Sequence, residues 1–463
     1  MAEIKQYVNL DPTNPDELKD IKPERAGRII NVTAKLNKKK EGVTIVFEIV
    51  SGKDNVYPSL DKANFSNEEL KGLYKIRKFL PGLKLPMSAK RKVITDDEGK
   101  ADMSFTLSNF GGDEFEVKAY VLKSGNKRGK EVILGKYIVW RRIYYQVSRF
   151  KAGTVGANWK GTLPEIPNIP WDPIKKEYTS KKRNIELVDD SKTDLITRYK
   201  NILVSMDPYN DLKKSVKEGY DAKREPVSMR VVLANMIADH KTTLINKHIV
   251  IERKPKTLSI TSGQLWKDSS LDLGKDCVLD AYVQYNENDA YRPIKNTFIY
   301  AETDKKITIR FDLIEQSVYE ASFGKKPVMA KITLRLRLLD GSTNGLSWYN
   351  AIWLAHNSMH DNTPYSNEGK QSTAIHEIGH FVDMVDTNQE TWYDEHGHTG
   401  DHCSTGLSIA EKKLTEYTGL NGTCVMFGEG DGRASKITNF CEVCDPSVRK
   451  SKVRITHNMP NNW

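Results

Sequence analysis

The run His376-Glu377-Ile378-Gly379-His380 sets two imidazoles four residues apart with a carboxylate beside the first. On a helix, residues four apart share a face with Cβ atoms ~5–6 Å from each other, so both rings can reach one cation. Imidazole nitrogen binds zinc at about 2.0–2.1 Å, and a catalytic site takes three protein ligands and keeps a fourth position open. Glu377 sits one residue on from the first ring, where it can act as a base toward water at that open position. Ile375, Ile378, Val382 and Val385 recur at steps of three, four and three, which is the apolar stripe of a helix. Gly379 costs that helix about 1 kcal/mol relative to alanine. The sequence shows no neighbour that would require it.

Further donors follow. Seven of the ten histidines lie between positions 356 and 402, and four of the five cysteines between 403 and 444. The stretch His396-Gly397-His398-Thr399-Gly400-Asp401-His402-Cys403 offers His402 or His398 as the third imidazole, with His396 or an acid behind them. Cys424-Val425-Met426 and Cys441-Glu442-Val443-Cys444 bring the thiols to four. Four thiolates suit a closed, structural zinc site. The C-x-x-C pair chelates from one tight turn, and Cys403 and Cys424 can close the tetrahedron. Two disulfides are the alternative. A nucleic-acid zinc ribbon would need two C-x-x-C pairs, and there is one. Cys277 stands alone in a strand-like context and reads as buried filler. His356 and His360 are also four apart but read as a loop or strand edge beside the cleft. Phe381 and Met384 read as core. Asp383 and Asp386 read as a solvated face or as hydrogen-bond partners of the histidines.

The order HExxH, His-Cys, Cys-x-Met, Cys-x-x-Cys resembles the archaemetzincin branch of the metzincin zinc peptidases. The resemblance implies His376 and His380 as zinc ligands, Glu377 as general base and His402 as third ligand. It implies Met426 as the methionine of the turn beneath the metal. Cys403, Cys424, Cys441 and Cys444 would hold a second, structural zinc (Zn2+). It covers roughly the last 70–90 residues. The spacing departs from the family, with 21 residues between His380 and His402. That keeps His398 in contention. The layout also resembles a diverged zincin group attached to bacterial immunoglobulin-like modules. Such proteins occur among the cargo of contractile injection machines such as type VI secretion.

The elements that carry this chemistry sit in a chain of 463 residues, long enough for two to four domains. Residues 1–24 are polar, with three prolines, and read as a lead-in. Residues 25–148 read as a β-sandwich. Gly42–Val50 is a β-branched, strand-length run, and Ala101–Leu107 and Phe115–Val121 alternate with period two after glycine turns. That stretch resembles bacterial immunoglobulin-like domains. Tyr137–Tyr145 reads as the segment that closes this part or docks it onto the next. Residues 149–255 read as a proline-rich linker and a middle α/β region, with a strand at 227–233. Residues 256–463 read as the zincin-like domain, with strands at 306–311 and 330–339. The expected fold class is therefore multidomain α+β.

There are 71 Lys and Arg against 61 Asp and Glu, a formal +10, with basic clusters scattered and not interleaved with aromatics. That argues against a specific nucleic-acid track. No apolar run approaches ~20 residues, so no transmembrane anchor is expected. Met1–Tyr7 has no apolar signal core, so the expectation is synthesis in the cytoplasm and export by a signal-independent secretion system. That reducing compartment favours thiolates over disulfides. The function this supports is zinc-dependent hydrolysis of a protein or peptide, with a secretion-machine component or a cognate immunity protein as further partners. Two alternatives stand beside it. One is a non-catalytic binding or structural protein stabilised by zinc. The other is a zinc hydrolase directed at peptidoglycan.

Overall fold

The structure, a computed structural model, describes residues 2–56, 64, 88–150, 166–191, 195–197, 202–204, 229–234, 236–251, 256–261, 278–284, 290, 292–293, 298–303, 306–311, 328–348, 351–357, 363–382, 402–408, 410–411, 422–427, 437–450 and 453. Most of it is strand, arranged around one large mixed sheet with a few helices, in keeping with the α+β class. Among the described residues no helix is long and apolar enough to cross a membrane.

The N-terminal strands are β1 (Glu3–Tyr7), β2 (Ile29–Lys35), β3 (Thr44–Ser51), β4 (Ser88–Ile94), β5 (Lys100–Thr106), β6 (Glu114–Lys123) and β7 (Lys127–Phe150). The β-branched and aromatic run Thr44-Ile45-Val46-Phe47 suits a pleated, buried strand. β3 accordingly lies between β4 and β6, antiparallel to both. β2 and β5 form a second antiparallel layer. Ile30, Val32 and Phe105 from that layer share one core with Phe47, Ile49, Val117 and Val139 from the first. The turn ahead of β5 closes with Gly99 at φ +74°, a left-handed backbone that glycine adopts freely. Lys100 donates its backbone N–H to Asp96 Oδ1 at 2.7 Å in the same turn. β1 falls within the polar 1–24 stretch and pairs in parallel with Lys136–Trp140 of β7. Tyr7, Leu10 and Leu18 from that stretch pack with Tyr144.

β7 is 24 residues long and serves two neighbourhoods. Its first half pairs with β6. Its second half pairs in parallel with β8 (Ile185–Asp189), β9 (Leu195–Thr197) and, beyond β10 (Ile202–Val204), with β11 (Met229–Ala234). Two 16-residue strands then leave the main sheet and return. They are β12 (Met236–Ile251) and β18 (Val328–Thr343), antiparallel from Ile237↔Thr343 to Ile251↔Val328. Between them lie β13 (Lys256–Thr261), β14 (Val278–Gln284), β15 (Arg292–Pro293), β16 (Phe298–Thr303) and β17 (Lys306–Phe311). The chain rejoins the main sheet as β19 (Gly345–Trp348) and β20 (Ala351–Ala355), giving the order β19-β20-β11-β7-β6-β3-β4.

The C-terminal core forms where helices Asp172–Thr179 and Asn367–Phe381 meet this sheet. Val231, Leu233, Ile352 and Leu354 pack there with Ile174, Ile375, Ile378 and Val382. A third helix, Cys444–Lys450, is clamped by arginines. Arg183 is fully buried and pairs with Glu177 at 2.8 Å and with Asp445. Arg141 donates from Nη2 to the carbonyls of Arg183 at 2.8 Å and Val448 at 3.1 Å. Arg449 reaches the turn between β5 and β6, donating to Gly111 O at 2.9 Å and pairing with Asp113 at 3.2 Å.

Arg183 thus joins the 172–179 helix to the helix that begins at Cys444. Replacing one member of a buried pair leaves an uncompensated charge and costs about 3–5 kcal/mol. Arg183→Met should lose about that much stability, read as a lower urea midpoint with an unchanged slope.

Candidate metal centre

The helix Asn367–Phe381 starts where Ser366 Oγ accepts the Gly369 N–H at 3.1 Å, the side-chain cap that satisfies an otherwise orphaned donor. Its apolar stripe is buried, with Ile375, Ile378 and Val382 all at 0% exposure. Tyr178, from the 172–179 helix, donates its hydroxyl to Ile375 O at 2.7 Å, immediately ahead of His376. The helix is therefore held from its apolar side and by its own backbone.

His376 and His380 present their rings on one side, with centroids 4.7 Å apart. His402, distant in the chain, brings a third ring to 5.2 Å from each of them. The potential ligand nitrogens of the three all lie within 4.8 Å of one another. His376 donates from Nδ1 to Val425 O at 2.8 Å. A carbonyl can only accept, so Nδ1 carries the proton and Nε2 keeps its lone pair. That Nε2 faces His380 Nε2 at 3.0 Å. Nitrogens on a tetrahedral zinc stand about 3.3 Å apart, so the spacing fits a shared cation. Burial lowers the pKa of all three rings below the ordinary imidazole value. For His380 the neighbouring His376 adds to it, and for His402 both other rings do. Both effects favour the neutral ring, which is the form that ligates.

Glu377 lies beside them, only 6% exposed. Desolvation pushes its carboxyl up to about 8. A β-carbon on Gly345, at the start of edge strand β19, would stand 2.5 Å from Glu377 Oε1. The glycine is what lets the carboxylate lie against the strand. Gly379 has the same kind of reason. A β-carbon there would stand 2.5 Å from Met426 Sδ and 3.6 Å from Phe440 Cε1. The close neighbour that the sequence did not show is Met426.

The four thiols Cys403, Cys424, Cys441 and Cys444 also converge, with all Sγ atoms within 4.8 Å of one another and no disulfide among them. Cys403 and Cys441 Sγ are 3.8 Å apart. A disulfide would hold them near 2.05 Å, whereas sulfurs around a tetrahedral zinc stand about 3.8 Å apart. Backbone N–H groups point at the sulfurs, from Thr405 to Cys403, Cys441 to Cys424 and Cys444 to Cys441, each at 3.4 Å. Such donors favour thiolate. Among the four thiols, mutual hydrogen bonding lowers the pKa of Cys403 and Cys441 and raises that of Cys424 and Cys444. Both histidine and cysteine clusters can therefore hold a metal ion.

His398 and His396 lie outside the described residues, as do His360, Cys277, Asp383, Asp386, Met384 and Val385. His356 is described and directly follows β20. Its N–H donates to Ala234 O at 2.8 Å, and its carbonyl accepts from Tyr365 N at 2.9 Å. Burial, with Lys370 nearby, brings its pKa down to about 4. Phe381 packs partly buried against the core. Four contributors had no sequence signal of their own: the Val425 carbonyl, Gly345, Tyr178 and Phe440. The lone glycine of the motif was the one clue that something pressed on the helix. No protein-family model matches the chain, and no curated protein matches it.

Two outcomes test this geometry. Gly379→Ala should destabilise by about 1–3 kcal/mol through overpacking, despite alanine's better helix propensity. Adding Met426→Ala should recover part of that loss in a thermal-unfolding cycle. Glu377 is raised above its unfolded value. In metal-free protein the stability it contributes is full below about 4.5 and is lost as pH rises through about 8. Glu377→Gln should abolish that decline, seen in melts run with chelator from pH 5 to 9.

Proposed function

We propose that the chain is a zinc-dependent peptidase, zincin-like in its C-terminal part and immunoglobulin-like in its N-terminal sandwich. The observation that carries this reading is the convergence of His376, His380 and His402, with the buried Glu377 next to His376 in the chain. The donor chemistry fits zinc at both clusters. Three imidazoles match the protein ligands of a catalytic site, and four thiols match a closed structural one. His376, His380 and His402 would hold the first ion, and Cys403, Cys424, Cys441 and Cys444 the second. The archaemetzincin resemblance would make Met426, which packs against Gly379 of the motif, the methionine of the turn.

Zinc in the imidazole site supplies Lewis acidity, which brings water's pKa toward ~7 and polarises a carbonyl. The chain's own part is proton handling. Glu377 takes a proton from the attacking water on a carboxylate oxygen and returns it to the departing amine nitrogen. Its desolvated setting raises its proton affinity, which suits the return step. A nearby dication lowers it again, which suits the uptake. The substrate is a protein or peptide. The same reading extends to delivery as an effector by a contractile injection system, with a cognate immunity protein as partner.

Purified chain should contain two zinc ions. Glu377→Gln should retain both and lose turnover of casein by at least about 10²–10⁴-fold. His376→Ala should lose one zinc and all turnover. His402→Ala should behave as His376→Ala does, while His398→Ala keeps both ions. Full zinc content with no cleavage of casein in the parent chain would instead indicate a binding protein.

A further inference from the structure

The two donor clusters are spliced together along the chain. His402 of the imidazole cluster is followed directly by Cys403 of the thiol cluster. Cys424 is followed by Val425, whose carbonyl fixes the His376 tautomer at 2.8 Å. Next comes Met426, whose Sδ would stand 2.5 Å from a β-carbon on Gly379. His402, the Val425 carbonyl and Met426 therefore each lie within two residues of a thiol, whereas Tyr178 and Gly345 reach the helix from elsewhere.

The segments that carry these links are joined by few backbone contacts among the described residues. Cys403 N donates to Met426 O at 2.9 Å, Thr423 N to Thr405 O at 2.8 Å, and Val425 N to Asn439 O at 3.1 Å. No helix or strand holds residues 402–408 and 422–427. The four sulfurs meet where 402–408, 422–427 and 437–444 come together. Four like groups that repel when ionised do not hold such a point by themselves. A dication among them does, and ordering those segments then costs the imidazole site nothing further.

We infer that the thiol cluster governs the imidazole cluster: a soft divalent cation bound by the four cysteines raises the affinity of the three histidines for their own cation. The inference rests on the reading of both clusters as metal sites. It assigns the thiol cluster a positioning role, exerted through His402 and the Val425 carbonyl. Coupling between sites is typically 5- to 150-fold and is reciprocal. Thiolates prefer soft ions, so the cysteine site fills first and the histidine site second.

The test uses the full chain, reduced and metal-free. One equivalent of Cd2+ is added to fill the thiols, and Co2+ is then titrated, its visible absorption reporting imidazole binding without sulfur charge transfer. The histidine site should bind Co2+ about 5- to 150-fold more tightly than in Cys441→Ser, checked as folded by circular dichroism. Equal Co2+ affinity in the two overturns the inference. Amide exchange in the parent chain gives a second reading that does not depend on that variant folding. One equivalent of Cd2+ should slow exchange at 402–404 and 424–427, and unchanged exchange there overturns it as well. A chain that takes up neither ion sinks the metal reading itself. A chain that takes up both independently sinks only the coupling.

Discussion

His376 donates from Nδ1 to the Val425 carbonyl at 2.8 Å, and this contact decides which ring nitrogen is left for a cation. A neutral imidazole has one donor and one acceptor, so pinning the proton on one side aims the lone pair from the other. His380 needs no such guide, because the helix itself holds it one turn away. His402 lies outside that helix and is followed directly by Cys403. The three rings thus reach one place by three different means: a tautomer set by a carbonyl, a helical repeat and a neighbouring thiol.

Burial supplies the other half of the site's character. Ordinary imidazoles would share a proton near neutrality, and close rings would repel once charged. Desolvation lowers the pKa of all three rings and raises that of the Glu377 carboxyl. The same dry surroundings leave little room for error in shape. Gly379 and Gly345 each mark a place where a single methyl would collide, one with Met426 and one with Glu377. The propensity penalty of glycine in mid-helix is the smaller of two evils there.

Much of this was legible in the residues, and the limits have physical causes. Local patterns carry local structure. The Ile375–Ile378–Val382 stripe is a buried helix face, and the runs at 44–50, 101–106, 306–311 and 330–339 are strands. Clustering of His and Cys pointed to donor groups, and the structure gathers the described ones into two sets. Pairing between remote segments has no local signature. Nothing in Glu3–Tyr7 tells that it lies on Lys136–Trp140. Nothing in Met229–Ala234 tells that it separates β7 from β20. The carbonyl of Val425 is invisible for a simpler reason, since every residue has one and only the fold decides which is aimed at a ring. Tyr178 is a further case, because its hydroxyl finds a backbone atom 197 positions away.

β7 runs unbroken for 24 residues from the N-terminal layers into the sheet beneath the histidines. The two halves of the molecule are in that respect one piece of cloth with a common thread. Limited proteolysis or a truncated expression clone that severs the chain between 127 and 150 cannot yield two intact fragments. Each would carry a torn edge, with unpaired N–H and C=O groups inviting aggregation. The front portion is therefore not interchangeable cargo in the manner of beads on a string, and gene shuffling at that point would exact its toll on both sides.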